Sequence, residues 1–304
     1  MLQSFNSLIQ MMEAIPDEQT AINHIRAIRW KNGAFCPHCG SVRVYHFKDE
    51  RTHKCGDCRK RFSIRVGTIF EDSKLPLRKW MLAIWMITSH KKGIASTQLA
   101  KDIGITQKSA WFVTQRLREA ARTQSFNRPL RDDVESDETF IGGKEKNKHR
   151  SKRTGGKQGG KGKIAVLGML ERGGELRTMV TPSLRAGDVQ GAIRANVEKG
   201  SGLYTDEHPS FTGLRKDFDH LRVNHSAGEY VRSMIVHTNG IEGVWALFKR
   251  QIVGTHHYLS PKHISRYLGE MTWRFNLREL DEGDRVNALI AQTAGRLTYK
   301  ELIA

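Results

Sequence analysis

The strongest constraint on this chain lies in a 23-residue window that holds all four of its cysteines. They stand as Cys36-Pro-His-Cys39 and Cys55-Gly-Asp-Cys58, two C-x2-C pairs with 15 residues between them. Each pair can turn two thiolates toward one ion, and the adjacent Gly40 and Gly56 permit tight turns whose backbone N–H groups face sulfur. Four thiolates complete a tetrahedral site and leave no position for water, so the spacing predicts a zinc ribbon with a structural Zn²⁺. A disulfide framework is the weaker reading for a chain that looks cytosolic, and two matched pairs argue against a lone redox C-x-x-C. His38, His46 and His53 could serve as ligands, but four cysteines already suffice. Residues 36–65 carry eight Lys/Arg against three acids, which suits contact with nucleic acid; a ribbon that only supports the fold is the alternative.

Charge over the whole chain points the same way. Its 304 residues include 50 Lys+Arg and 32 Asp+Glu, a formal net charge of +18. An excess of this size serves a polyanion: DNA, RNA or an acidic membrane surface. No apolar run approaches the roughly 18–20 residues of a membrane span. The stretch Met1–Gln19 lacks the basic flank and long apolar core of a secretory signal. With 38% hydrophobic residues the chain has material for two or three folded domains. These observations exclude a membrane protein, a disulfide-stapled secreted domain and a disordered tail. They predict a cytoplasmic protein that works on nucleic acid.

Residues 1–70 read as a first domain: two short amphipathic helices within 5–30, broken at Pro16, then the ribbon. Asp17 is the expected N-cap of the second helix, with Ile22, Ile25, Ile28 and the neighbouring Trp30 on its apolar face. Residues 71–128 read as a helix-turn-helix domain. Trp80, Ile84 and Ile87 form one buried stripe. A helix over 96–103 stops at Gly104, and Thr106 caps a second over 107–121. Leu99, Ala100, Ile105, Ala110, Val113 and Leu117 fall at buried positions. Gln107, Lys108, Gln115, Arg116 and Arg118 are expected to face solvent, for groove and phosphate contact with DNA. An ordinary helical hairpin is the plainer alternative.

Near residue 130 the pattern changes. Asp132–Gly142 reads as a strand with acids at its start. Residues 144–163 hold nine Lys/Arg, one Glu and five Gly, a composition that cannot form a core. This basic loop, with Lys148, Arg150, Lys152 and Arg153, is expected on a phosphate backbone, or else as a solvated hairpin tip. Ile164–Leu170 and Leu176–Val180 read as strands joined at Gly173-Gly174, 185–198 as a helix, and Leu203–Thr205 as a short strand ending at Asp206. A helix over 240–251 carries Ile241, Val244, Trp245 and Phe248 inward. A last one starts at Ser260-Pro261 and runs to about Glu279. Three strands, a helix, a strand and then helices is the ribonuclease-H-like order. The catalytic domain is therefore set at 129–282, with 283–304 as a C-terminal tail, in a multidomain α+β chain. That fold brings together acids from two central strands and a later helix. Here they are Asp137, Asp206 and Glu242, with 35 residues between the last two. Carboxylates on three elements suit two hard cations about 3.5–4 Å apart, Mg²⁺ or Mn²⁺, that also bind substrate phosphate oxygens. Glu135 and Glu138 read as solvated or supporting neighbours of Asp137, and Glu270 as a helix-surface acid, with an extra neighbour of the metal as the alternative. Trp245 and Trp273 read as core. For His225, His237, His256 and His257, hydrogen bonding within the fold is at least as good a reading as ligation.

The chain resembles the ISXO-like group of bacterial insertion-sequence transposases, which carry an N-terminal zinc ribbon and a DDE domain. The stretches that match are Val134–Gly143, Lys144–His149, Tyr204–Glu207, Val223–Ser226, His237–Gly243 with Phe248–Arg250, Gly254–His257 and Trp273–Arg278, in order over about residues 15–280. The resemblance implies DNA end cleavage and strand transfer, with Asp137 and Asp206 as first and second acids. Members of the group carry Asn, Glu or His at the third position, followed by a Lys. Both Glu242 and Asn239 qualify here, with Lys249 two helical turns beyond Glu242 as a contact to DNA phosphate. The expected partner is double-stranded DNA, at the element's terminal inverted repeats and at the target, bound by a homodimer or larger assembly near the bacterial nucleoid. Two other readings compete: an inactive or domesticated sequence-specific DNA-binding protein, and a structure-specific nuclease of the same fold.

Overall fold

A computed structural model describes residues 5–122, 128–143, 149–152, 163–223 and 236–303. The chain forms two compact units, one from the N-terminal residues to 123 together with 277–304, the other from 124 to 276.

The first unit opens with α1 (Leu8–Ala14) and α2 (Glu18–Arg29). Asp17 ends the break at Pro16, its carboxylate accepting the Thr20 N–H at 2.8 Å, as an N-cap should. Ile22 and Ile25 are buried. The ribbon is a three-stranded antiparallel sheet in sequence order, β1 (Val44–His46), β2 (Thr52–Cys55) and β3 (Arg61–Ser63). Glu18 accepts the N–H groups of Leu77 and Arg78 at 2.8 and 2.9 Å, and so caps α3 (Leu77–Ser89) from α2. The stripe expected on α3 is there: Trp80, Ile84 and Ile87 are all buried.

Helix α4 (Ser96–Asp102) ends at Gly104, whose φ of +60° is the left-handed conformation a glycine supplies most readily. Thr106 then caps α5 (Gln107–Ala120) through the Ser109 N–H. Gln107 and Lys108 are exposed, as expected. Gln115, Arg116 and Arg118, expected on the solvent face, are instead buried. The periodicity marks the stripe that packs on α3 and α4, but a second segment covers the other side. The Arg116 guanidinium donates to the carbonyls of Ile69 and Glu71 at 2.6 and 2.9 Å. It thereby satisfies backbone acceptors that would otherwise be buried without partners.

In the second unit a five-stranded sheet runs β6-β5-β4-β7-β8. Its strands are β4 (Asp133–Ile141), β5 (Ile164–Glu171), β6 (Leu176–Val180), β7 (Gly202–Thr205) and β8 (Asp219–Arg222). The first three are mutually antiparallel, whereas β7 and β8 run parallel to β4. Numbered within the unit this is order 3-2-1-4-5, the ribonuclease-H-like arrangement. Strand β8 was not foreseen: Asp-His-Leu-Arg has little β signal, and an edge strand needs only one neighbour. Helix α6 (Ala186–Asn196) packs one sheet face through Val189 and Ile193 against Leu167, Met169 and Leu203. Helices α7 (Asn239–Gln251) and α8 (Ile264–Asn276) pack the other through Ile241, Trp245, Phe248 and Leu268. Trp273 is core, as expected. Glu270 is not a surface acid: it is buried on α8 in an ion pair with Arg274, which also reaches Gln251 at 3.0 Å.

Residues 277–303 return to the first unit. There α9 (Glu282–Ala291) packs on α2 and α3, with Asn287 bonded to His24 at 2.8 Å, and α10 (Tyr299–Ile303) stacks Tyr299 on Phe112. The stretch set apart as a tail at 283–304 thus carries two helices. Among the described residues no helix is long and apolar enough to cross a membrane.

Candidate active site and zinc centre

The four cysteine sulfurs all lie within 4.8 Å of one another. Cys36 and Cys58 are 3.7 Å apart, Cys39 and Cys55 3.6 Å. A Zn–S bond of about 2.3 Å requires tetrahedral edges of about 3.8 Å, so the set fits one zinc. The backbone N–H of His38 points at Cys36 Sγ (3.4 Å), and those of Asp57 and Cys58 point at Cys55 Sγ (3.3 and 3.4 Å). These donors stabilise thiolate charge. His53 instead packs its ring against Trp30 and Phe62, outside the ligand set.

The second centre is built on the β4–β7 seam. Their parallel register pairs Val134 with Leu203 and Glu135 with Tyr204. Carried two residues further, it sets Asp137 level with Asp206, where the chain leaves β7. Asp137 lies opposite Gly168 on β5, and directly opposed residues share a sheet face. That face belongs to α7. A Cβ on Gly168 would collide with the Trp245 ring and stand 2.8 Å from Ile241 Cδ1. The missing side chain therefore lets α7 close on the sheet beneath Asp137.

Helix α7 is held there by Glu135. Its carboxylate is buried and accepts the Ile241 N–H at 2.9 Å, so it caps the helix from the central strand. Arg172 Nε donates to its other oxygen at 2.9 Å, and His237 Nδ1 stands 3.3 Å away. Arg172 also donates to the His237 carbonyl at 2.9 Å and lies over the Tyr204 ring, 4.1 Å from its centroid. Gly240 leaves room for this carboxylate, since a Cβ there would come within 2.8 Å of Glu135 Oε2. So Glu135 is not solvated, and His237 takes the hydrogen-bonding role. The first turn of α7 presents Glu242, which accepts the Thr238 hydroxyl at 2.8 Å. Asn239 is exposed at the helix's first position, and Lys249 is exposed two turns beyond Glu242.

The acids feel one another. Burial first, then the charges of Glu138, Asp206 and Glu242, push Asp137 up to about 8. Burial and Asp206 push Glu138 up to about 7. Glu138 points to the opposite face, across from Leu167, yet shares this field. Its side chain is 8% exposed, Oε2 is buried without a hydrogen-bond partner, and Oε1 lies 3.7 Å from His208 Nδ1. The His208 N–H donates to Asp206 at 2.9 Å. Burial and the neighbouring acids together disfavour the charged form of these carboxyls, a penalty that a bound divalent cation would relieve. Among the described residues no three carboxylates bring their oxygens as close together as the cysteine sulfurs do. Of the basic loop, Arg150 is exposed in a short 3₁₀ turn that ends at Lys152, whereas Lys148 and Arg153 lie outside the described residues.

A zinc-ribbon chain with a ribonuclease-H-like domain and acids gathered at its central seam defines a class of DNA-processing proteins, and comparisons with known proteins specify it. Residues 129–276 match the ISXO2-like transposase domain, and residues 16–61 match the transposase zinc-ribbon domain. The chain belongs to that transposase family. It is 29% identical over 266 residues to an uncharacterized protein in transposable element ISH50 of Halobacterium salinarum, covering 83% of this chain and 88% of the relative. An uncharacterized transposase-like protein of Haemophilus influenzae is 32% identical over 104 residues, 34% of this chain and 82% of that one. Among solved structures, a pre-cleavage Mos1 transpososome aligns with 75% of this chain and 82% of its own at 12% identity. Its TM-score is 0.27, too slight a likeness for either chain to inform the other.

Proposed function

We propose that this chain cuts DNA at the terminal inverted repeats of its own insertion sequence and transfers the freed strand to target DNA. The observation that supports the reading is geometric: Asp137 and Asp206 stand level on two parallel strands, and Glu242 lies in the first turn of the helix packed on the same sheet face. Asp137, Asp206 and Glu242 would hold Mg²⁺ or Mn²⁺. Glu242 is preferred to Asn239 because a carboxylate binds these ions better than an amide does. Bound there, the cations would supply an activated attacking oxygen and a stabilised leaving oxygen. The protein's own part is placement. Glu135 fixes α7 and with it Glu242, Gly168 sets the helix depth, and Lys249 meets a backbone phosphate. Chemistry of this kind needs no covalent intermediate, since orientation and charge neutralisation carry the rate.

In this reading the ribbon and α4–α5, acting as a helix-turn-helix, recognise the repeats. Gln107 and Lys108 lead into the groove, and Arg150 with its basic neighbours follows the phosphates. Gln115, Arg116 and Arg118 have no part in it. Two ends must be held together, so the working form is a dimer or larger, acting at the bacterial nucleoid. The test is Asp206→Asn and Asp137→Asn on duplex DNA carrying the terminal repeat, with Mg²⁺. Each should lower end cleavage by ~10²–10³-fold or more. Wild-type cutting by either variant would overturn the mechanism. Strand-transfer products from the unmodified protein would set it apart from a nuclease or a non-cutting DNA-binding protein.

A further inference from the structure

Beside the acid group lies a cavity of about 930 Å³ that the roles above do not use. Strand alternation places Glu138 and Phe140 on the same face of β4. Across from them on β5 stand Leu167 and Ala165. Leu167 is buried in the core under α6, but the small Ala165 leaves the Phe140 ring 37% exposed. That ring lines the cavity with Ala165, Lys163, Thr181, Leu184 and His208. His208 joins the two places. Its ring faces Glu138 at 3.7 Å, its N–H holds Asp206, and it forms one wall of the cavity.

The lining selects its ligand. It offers an exposed aromatic face, apolar and hydroxyl-bearing walls, one ammonium and one imidazole, and no carboxylate. An aromatic platform edged by a cation suits a nucleobase with its attached phosphate. Phe140 stands on the face of β4 opposite Asp137, and His208, in the turn after β7, links Asp206 to the cavity, so a base seated on Phe140 beside a phosphate held at the acids has left the duplex stack. Resting on the phosphodiester chemistry proposed above, we infer that this cavity takes the unstacked base of a nucleotide flanking the scissile phosphate, stacked on Phe140, with Lys163 and His208 toward its backbone.

The probe is duplex DNA carrying the terminal repeat that flanks the gene, with 2-aminopurine placed in turn at each position around the cleavage point. With the full-length protein, one position should brighten several-fold as that base leaves the stack. Phe140→Ala should abolish the signal, and Phe140→Trp should keep the base bound and quench it by stacking. Phe140→Ala should also slow cleavage of intact DNA by ~10-fold or more, on the scale of losing one base-stacking contact. It should change cleavage little when that nucleotide is abasic. Melting temperature checks each variant, and Phe140→Leu replaces any that fails to fold; the fluorescence of the unmodified protein needs no variant. No brightening at any position, or equal loss on intact and abasic DNA, would overturn the cavity's role. If Asp206→Asn is inactive while Phe140→Ala cuts normally, only the base site falls. If Asp206→Asn still cuts, the phosphodiester chemistry falls with it.

Discussion

The cysteine ribbon and the acid group at the β4–β7 seam are built on opposite principles. In the ribbon, four sulfurs from a short stretch of chain already stand at tetrahedral spacing, with backbone N–H groups turned toward them. At the β4–β7 seam the acids come from elements up to about a hundred residues apart, and they crowd charge without closing to that spacing. A closed set of soft ligands completes a fold. An open set of hard, mutually repelling ligands keeps positions for substrate oxygens. The ribbon's geometry therefore follows from its local sequence, while that of the acids depends on what packs behind them.

The largest effect expected from this contrast is at the sulfurs. Structural zinc contributes roughly 10–16 kcal/mol of apparent binding free energy, and that free energy is folding free energy. Cys55→Ser should abolish stoichiometric zinc, measured by elemental analysis, and unfold the ribbon. If Cys55→Ser retained one zinc per chain and a folded ribbon, the closed four-sulfur centre would be wrong.

A smaller effect is expected behind the acids. Glu135→Ala would leave the half-buried Arg172 without its carboxylate beside an uncapped helix end, and because the arginine keeps contact with water the loss should fall below the roughly 3–5 kcal/mol of a fully buried pair. Glu135→Gln keeps an acceptor for the Ile241 N–H and should cost less. Because Glu135 acts through α7, both should raise the Mg²⁺ concentration needed for half-maximal cleavage, Ala more than Gln. A stability loss with no shift in metal demand would mean that Glu135 supports the fold and does not position Glu242.

This contrast also explains what could be read from the chain beforehand. The ribbon, Asp17, the α3 stripe and the strands flanking Gly173-Gly174 depend on local spacing. That Asp137 and Asp206 fall on neighbouring strands was legible because element order specifies which strands pair. Of the two readings of Glu135 and Glu138, solvated or supporting, burial favours the second, and a clue to it was present. Glu135, Asp137 and Glu138 lie in the middle of a strand with neighbours on both sides and helices on both faces, where none of the three is exposed. Arg116 failed for the complementary reason. Its partners are backbone carbonyls of residues 69 and 71, and carbonyls leave no trace in side-chain periodicity.

The smallest effect, and the one that separates the two centres by their chemistry, is the response to pH. The folded protein holds protons on Asp137 up to about pH 8 and on Glu138 up to about pH 7, whereas the unfolded chain releases them near the ordinary values of 3.8 and 4.5. Between those limits the native state binds more protons than the unfolded one, so stability falls as pH rises. The contribution is complete below about pH 4 and gone above about pH 8. The measurement is calorimetric melting of the full chain in divalent-free buffer without chelator, so that zinc stays on sulfur. From pH 5 to 8 the melting temperature should fall by a few degrees, at roughly 2–4 °C per kcal/mol for a domain of this size. Asp137→Asn should flatten that slope, and added Mg²⁺ should restore more stability at pH 8 than at pH 5, because cations displace protons from carboxylates. A melting temperature that climbs with pH, or an unchanged slope in Asp137→Asn, would mean that the acids do not share one field, and the contrast between a finished sulfur site and an unneutralised acid site would be lost.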